Sequence, residues 1–262
     1  MLLVVDVGNT QTVIGLYESD DSVELTDHWR IATSAERTAD EYGLMFEQFL
    51  AQRGLVLEDA ISGLAIASVV PRVTATLRRM SSRYLGFEPL VVGPGVRTGM
   101  PILYENPKEV GADRIADAVA AYDLYGGPTI VVDFGTATTV EVISGEGEYM
   151  GGAIAPGIEI SLDALYTRAA GLRRVELAEP PKSVIGRNTT ESIQAGAVYG
   201  AVAMVDGLCQ RVKDELGPCK VISTGGLGSL IAPLSSSIDQ HEPWLMLHGL
   251  RLIYRKNILE AS

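Results

Sequence analysis

Two short stretches place a carboxylate two residues before a glycine at the end of an apolar, β-branched run: Asp6-Val7-Gly8 after residues 2–5, and Asp133-Phe134-Gly135 after residues 129–132. A glycine there lets the backbone turn tightly, so that the following amide N–H groups point at an anion. The aspartate, which only accepts hydrogen bonds, suits Mg²⁺ or its waters beside a phosphate. A single copy reads as an ordinary hairpin. Its recurrence at an offset of 127 residues, with Thr12-Val13 falling on Thr139-Val140 in the same register, favours two loops that grip a polyphosphate from both sides of a cleft. A further glycine run, Thr224-Gly-Gly-Leu-Gly228, follows Val221-Ile222 directly. It allows close backbone approach to a flat adenine or its ribose, or it is a strand–helix turn with no room for side chains. It is not the Gly-x-Gly-x-x-Gly fingerprint, and the absence of any Gly-Lys-Ser/Thr loop excludes a P-loop NTPase.

Gly111-Ala112-Asp113-Arg114 opens a helix, and its charges carry two readings. Asp113 is either a helix-start charge favoured by the dipole, with Arg114 its ion-pair neighbour, or a carboxylate beside a reacting hydroxyl, with Arg114 the anchor of an anionic substrate. Tyr104 and Asn106, in a long Gly- and Pro-rich loop over 93–107, share that ambiguity. His28, His241 and His248 have no metal-ligand spacing and read as surface or packed residues.

These residues need elements to hold them. A β-meander is expected over 2–5, 12–17 and 23–31. Thr38-Ala-Asp-Glu41 has capping-box spacing ahead of a helix that Gly54 stops. A buried strand over 61–70 ends at Pro71, which suits the first turn of a helix running to 84. Next come a strand over 89–92, a helix over 111–125 and a strand over 129–133. A hairpin ends near 144, with a strand over 150–155 and helices over 158–169 and 190–216 behind it. The strand 220–223 and a helix over 244–259 complete the chain. The repeat predicts an α/β protein of two similar lobes, each a mixed sheet with flanking helices, divided as 1–114 and 115–262.

Charge and composition bound the partners. The chain has 262 residues, 21 Lys+Arg and 33 Asp+Glu, for a net charge of −12, the wrong sign for a nucleic-acid partner held by its phosphates. No run reaches the roughly 18 apolar residues of a membrane span, so no membrane partner is expected. The apolar start meets Asp6 after five residues and lacks a basic flank, so it reads as a strand and not a signal peptide. Only two cysteines, Cys209 and Cys219, are present, which points to a reducing compartment and a cytoplasmic location.

The two-lobe arrangement resembles the superfamily of acetate and sugar kinases, Hsp70 and actin, whose lobes share the actin-like ATPase (ribonuclease H-like) fold with ATP in the cleft between them. Within it, Asp6-Val-Gly-Asn-Thr10, Gly111-Ala-Asp-Arg114, Asp133-Phe-Gly-Thr-Ala137, Gly151-Gly-Ala-Ile-Ala-Pro-Gly157 and Gly186-Arg-Asn-Thr189 resemble, in order, the signature set of type III pantothenate kinases. That resemblance implies ATP-dependent phosphorylation of the pantothenate hydroxyl, the first step of coenzyme A synthesis. It implies that Asp6, Val7, Gly8, Asn9, Thr10, Gln11, Thr12 and Val13 line the ATP phosphates, with Asp6 on the Mg²⁺ side, and that Thr136 touches ATP. Asp113 would accept the hydroxyl proton. Tyr104, Gly111, Ala112, Asp113, Arg114 and Thr189 would hold pantothenate, Thr189 often reaching the partner subunit's site in a homodimer. Asp133 would hold a monovalent cation, K⁺ or NH₄⁺. Gln11 stands where many relatives carry His or another polar residue, a departure that a backbone-lined loop tolerates. Two other readings stay open: a kinase or ATPase of the same fold acting on another small metabolite, and a non-catalytic ATP-binding accessory protein of transcription.

Overall fold

The computed structural model describes residues 1–169 and 171–259. The apolar runs form two sheets of five strands each. The first contains β1 (Leu2–Val7), β2 (Gln11–Tyr17), β3 (Asp27–Ala32), β4 (Gly63–Ser68) and β5 (Leu90–Val91), in the order β3-β2-β1-β4-β5. β1 to β3 are antiparallel neighbours, whereas β1–β4 and β4–β5 are parallel and need helical crossovers. Those crossovers are α1 (Ala39–Ala51), the short α2 (Leu57–Ala60) and α3 (Pro71–Met80). The expected capping box starts α1: Thr38 Oγ1 accepts from Glu41 N–H at 3.3 Å and the Glu41 carboxylate accepts from Thr38 N–H at 2.6 Å. The third strand begins at Asp27 instead of 23, because its pairing with β2 starts only there, Asp27 opposite Leu16. The helix expected to reach 84 loosens into a π-helical turn over Ser81–Leu85 and stops at Gly86, whose φ of 76° is left-handed.

After α4 (Ala112–Tyr125) the pattern repeats. The second sheet holds β6 (Thr129–Phe134), β7 (Ala137–Ile143), β8 (Tyr149–Pro156), β9 (Lys220–Thr224) and β10 (Gln240–His241), in the order β8-β7-β6-β9-β10. Strand for strand this is the order of the first sheet, with the same parallel and antiparallel pairings. Both central strands, β1 and β6, show the same burial along their length, with only the aspartate position half-exposed. Helices α5 (Ile158–Arg168), α6 (Thr189–Leu216) and the one-turn α7 (Gly228–Ile231) cover the second sheet. By length and composition alone α6 would pass for a membrane span, the one such helix among the described residues. Its Val198, Val202, Val205 and Cys209 lie in the core of the second sheet, which accounts for part of that apolar content.

The chain divides into two compact units. One comprises Met1–Met100, Asn106–Ala120 and the chain from Leu245 on; the other comprises Pro101–Glu105 and Ala121–Trp244. A cut at 114/115 differs from this in where it puts Pro101–Glu105 and on two further counts. The division falls inside α4, and the last helix, α8 (Leu245–Leu259), belongs with the first sheet. Three glycines explain the last difference, each leaving room for the close approach of α8. A Cβ at Gly15 would stand 2.9 Å from Leu247, one at Gly63 2.2 Å from the Tyr254 hydroxyl, and one at Gly249 1.9 Å from the Ala116 carbonyl oxygen.

Candidate active site

The first Asp-x-Gly turn is built as the sequence suggests and then locked by a residue the sequence reading passed over. Asp6 is half-buried near the end of β1, opposite Val13 on β2 and Ala67 on β4. Gly8, Asn9 and Thr10 make the loop, closed by Gly8 N–H donating to the Gln11 carbonyl at 3.0 Å. Thr33, just past β3, donates its hydroxyl to the Gly8 carbonyl at 2.8 Å and lies 2.9 Å from the Thr12 hydroxyl; its N–H donates to the Thr10 carbonyl at 2.9 Å. Val7 and Thr12 are buried, whereas Asn9, Thr10 and Gln11 are exposed, so the loop offers its backbone at the surface. Arg30 donates to the Gln11 side chain at 3.0 Å, which occupies the one residue that departs from the motif.

The second turn is one residue shorter. Only Gly135 and Thr136 separate β6 from β7, and Gly135 N–H donates to the Ala137 carbonyl at 3.1 Å. The strands therefore correspond at 127 residues for β1 and β6 but at 126 for β2 and β7: Asp6 faces Val13, and Asp133 faces Thr139. Thr12-Val13 thus matches Thr138-Thr139, not Thr139-Val140, because the missing loop residue shifts the return strand by one. The position of Thr33 is taken here by Gly157, whose N–H donates to the Thr136 carbonyl at 3.2 Å and whose Cβ, if present, would stand 2.2 Å from that oxygen. Thr138, the counterpart of Thr12, keeps a buried hydroxyl without a hydrogen-bond partner.

The glycine run after β9 does something its composition did not reveal. A Cβ at Gly225 would lie 2.2 Å from Asp133 Oδ1 and 2.6 Å from the Phe134 nitrogen, and one at Gly135 would lie 3.2 Å from Asp133 Oδ2. The Asp133 carboxylate is therefore cradled between two glycines, and Gly225, with φ of +89°, holds a left-handed conformation there. Parallel pairing of β6 with β9, Asp133 opposite Thr224, brings the two turns to one end of the sheet.

Asp113 lies in the first turn of α4, half-buried, where its Oδ1 accepts the Arg114 N–H at 2.9 Å. A Cβ at Gly111 would stand 2.2 Å from that oxygen, so the glycine of Gly-Ala-Asp-Arg makes space for the carboxylate. Tyr104 sits instead in the second unit, its ring 3.3 Å from where a Cβ of Gly151 would be and 6.3 Å, centroid to centroid, from the ring of Tyr149. Thr189 is the first residue of α6, exposed, behind an N-cap in which Asn188 accepts the Glu191 N–H at 2.9 Å. It lines a cavity of about 580 Å³ between α5 and α6, with Ile158, Leu162, Ile193, Gly196 and Gly200. Asn106 caps a short turn, accepting Lys108 N–H and donating to Glu109.

No group of three or more His, Cys, Asp or Glu among the described residues could hold a metal ion by itself. A divalent ion here has to be shared with ligands from a substrate, as Mg²⁺ commonly is with phosphates. Cys209 and Cys219 are buried free thiols, and burial pushes the Cys209 thiol up to about 11, which disfavours its thiolate form.

The profile of the family described as type III pantothenate kinase matches residues 2–211. A type III pantothenate kinase of Streptomyces griseus subsp. griseus is 54% identical over 269 residues, covering 100% of both chains. Among solved structures, a conserved protein assigned to the Baf family of transcriptional activators from Campylobacter jejuni superposes with a TM-score of 0.61 at 19% identity, covering 98% of this chain and 99% of its own. The ROK hexokinase of Thermus thermophilus gives 0.51 at 15% identity, over 98% and 99%. At such identities the structural likeness speaks for the fold alone, an α/β chain built on two five-stranded sheets of the same strand order.

Proposed function

The chain belongs to the type III pantothenate kinase family and phosphorylates pantothenate at the expense of ATP in coenzyme A synthesis; on that premise we propose how its residues divide the work. The hairpin of residues 6–13 receives the ATP phosphates on its exposed backbone, supported by the bonds through which Thr33 holds the loop. Thr136, at the tip of the second hairpin, contacts ATP. Tyr104, Gly111, Ala112, Arg114 and Thr189 hold pantothenate. Asp113 takes the proton of the attacking hydroxyl, a role supported by a carboxylate seated over a glycine with a face left half-exposed.

Two ions enter this reading through the chain's own donors. Asp6, a strand-end carboxylate with hard oxygen atoms, fits the magnesium that accompanies ATP, and Asp133 in its glycine cradle fits K⁺ or NH₄⁺. Such cations, when bound, would supply neutralisation of the charge on the phosphates during transfer. What remains for the protein is positioning. A loose phosphoryl-transfer transition state asks for aligned donor and acceptor, so rigid hairpins and a seated base matter more than covalent chemistry.

We also place the enzyme in the cytoplasm as a homodimer. The buried free thiols suit a reducing compartment. The groove between α5 and α6, with small Gly196, Ala197, Gly200 and Ala201 on its walls and Thr189 lining it, suits close packing of a second copy.

The observation that carries the catalytic reading is the strand-end aspartate hairpin at the same place in two identically ordered sheets. The test is ADP formation with and without pantothenate and with a panel of other small hydroxy acids. ADP should appear only with an acceptor, and pantothenate should dominate by kcat/KM. ADP release indifferent to pantothenate, or a better acceptor in the panel, would overturn it.

A further inference from the structure

The second unit contains a buried carboxylate that the proposed chemistry leaves unused. Glu141 on β7 is 1% exposed, and the hydroxyl of Tyr149, itself 0% exposed, donates to it. A carboxyl group so deep needs hydrogen-bond partners to replace the water it has lost. Tyr149 is also the point at which the Pro101–Glu105 segment joins this unit. Its N–H donates to the Pro101 carbonyl at 2.8 Å and its carbonyl accepts the Leu103 N–H at 2.8 Å, so Ile102 bridges onto β8 as a parallel partner. One residue further on, the Tyr104 ring lies tilted against the Tyr149 ring at 6.3 Å and rests over Gly151. Gly151 has φ of +118°, a conformation that favours glycine, and any Cβ there would press the Tyr104 ring at 3.3 Å. Backbone bonds, ring contact and a glycine floor thus fix one tyrosine from three sides, and the Glu141–Tyr149 bond fixes the side chain behind it.

We infer that Tyr149 and Glu141 are positioning residues that set Tyr104 in place for pantothenate, and that Gly151 is kept as glycine for the same purpose. The inference rests on the reading of Tyr104 as a pantothenate contact. Loss of the Tyr149 hydroxyl frees its ring to shift, and Tyr104 with it, without touching the ATP loops. The signature is a rise in KM for pantothenate alone.

The experiment compares Tyr104→Ala, Tyr149→Phe, Gly151→Ala and the double variant Tyr104→Ala/Tyr149→Phe in full kinetics with both substrates, with thermal melts to confirm folding. Tyr149→Phe and Gly151→Ala should each raise the pantothenate KM by roughly fivefold, the effect of about 1 kcal/mol of lost positioning, with kcat and the ATP KM within about twofold of wild type. Adding Tyr149→Phe to Tyr104→Ala should change nothing more, since the group being positioned is gone. Glu141→Gln, which still accepts the Tyr149 hydroxyl, should retain near-wild-type pantothenate KM. If Tyr104→Ala raises KM while Tyr149→Phe and Gly151→Ala do not, Tyr104 contacts pantothenate but the positioning role is wrong. If Tyr104→Ala itself leaves KM unchanged, the contact falls and the inference falls with it. Should Tyr149→Phe fail to fold, Gly151→Ala decides, because its Cβ would press the Tyr104 ring directly and spare the Tyr149–Glu141 bond.

Discussion

Asp113→Asn separates the base from the scaffold around it. The amide has the shape of the carboxylate, its oxygen can still accept the Arg114 N–H that now lies at 2.9 Å, and it needs no more than the space that Gly111 already leaves. What disappears is the ability to take a proton. Positioned bases contribute about 10²- to 10⁴-fold, and a loose phosphoryl transfer in which the hydroxyl proton leaves late belongs at the lower end. The expected loss is therefore about 10²-fold in kcat, equivalent to about 2.7 kcal/mol of barrier. A coupled ADP assay at saturating ATP and pantothenate measures it, with a melting curve run alongside. The companion variant Gly111→Ala leaves the carboxylate chemically intact but puts a Cβ where its Oδ1 stands, 2.2 Å away, so the side chain must swing aside. A displacement on the scale of 1 Å costs a comparable factor of about 10². The two variants should fail alike, one by chemistry and one by geometry. An Asp113→Asn enzyme that folds and turns over within about threefold of wild type would refute the reasoning and leave Asp113 a charge favoured by the start of α4.

Replacing K⁺ by Na⁺ should depress activity of the wild type, and Asp133→Ala should abolish the difference. Gly225→Ala should do the same, because its Cβ would meet Asp133 Oδ1 at 2.2 Å; a Gly225→Ala enzyme with the wild-type K⁺/Na⁺ ratio would disprove the cradle's role. Gly249→Val should overpack the crossing of α8 on Ala116, costing roughly 1–3 kcal/mol or more and lowering the melting temperature by several degrees, as a thermal scan will show. Burial alone would raise Asp206, but hydrogen bonds from the Ser235 and Ser236 hydroxyls and the Ser236 and Ser237 N–H groups outweigh it and hold the carboxyl below its ordinary 3.8. A depressed folded-state pKa stabilises above the unfolded value and loses that contribution as pH falls through the folded one. Asp206→Asn should therefore melt earlier than wild type at neutral pH, with the gap closing as pH drops below 3.8; a gap independent of pH would contradict this.

Much of this protein can be read without coordinates. A strand that ends in Asp-x-Gly announces itself by local rules, since β-branched runs, turn glycines and caps act over a few neighbouring residues; the Thr38 box and the starts of α3 and α6 needed nothing more. Repetition of the motif then implied two like sheets, and the motif set implied a family. What local rules could not supply was everything that depends on residues far apart in the chain. Thr33 locks the first hairpin and Gly225 floors Asp133 because parallel and antiparallel pairing brings them there. The one-residue difference between the hairpins shows only in strand register, which hydrogen bonds set and composition does not. Tyr104 and Gly151 meet only through β8, and α8 joins the first sheet only because Gly15, Gly63 and Gly249 clear a path for it. Sequence, then, determined the elements, the repeat and the chemistry the chain is equipped for. Tertiary structure decided which side chains and glycines support that chemistry, because close packing is a relation between surfaces that no stretch of chain carries alone.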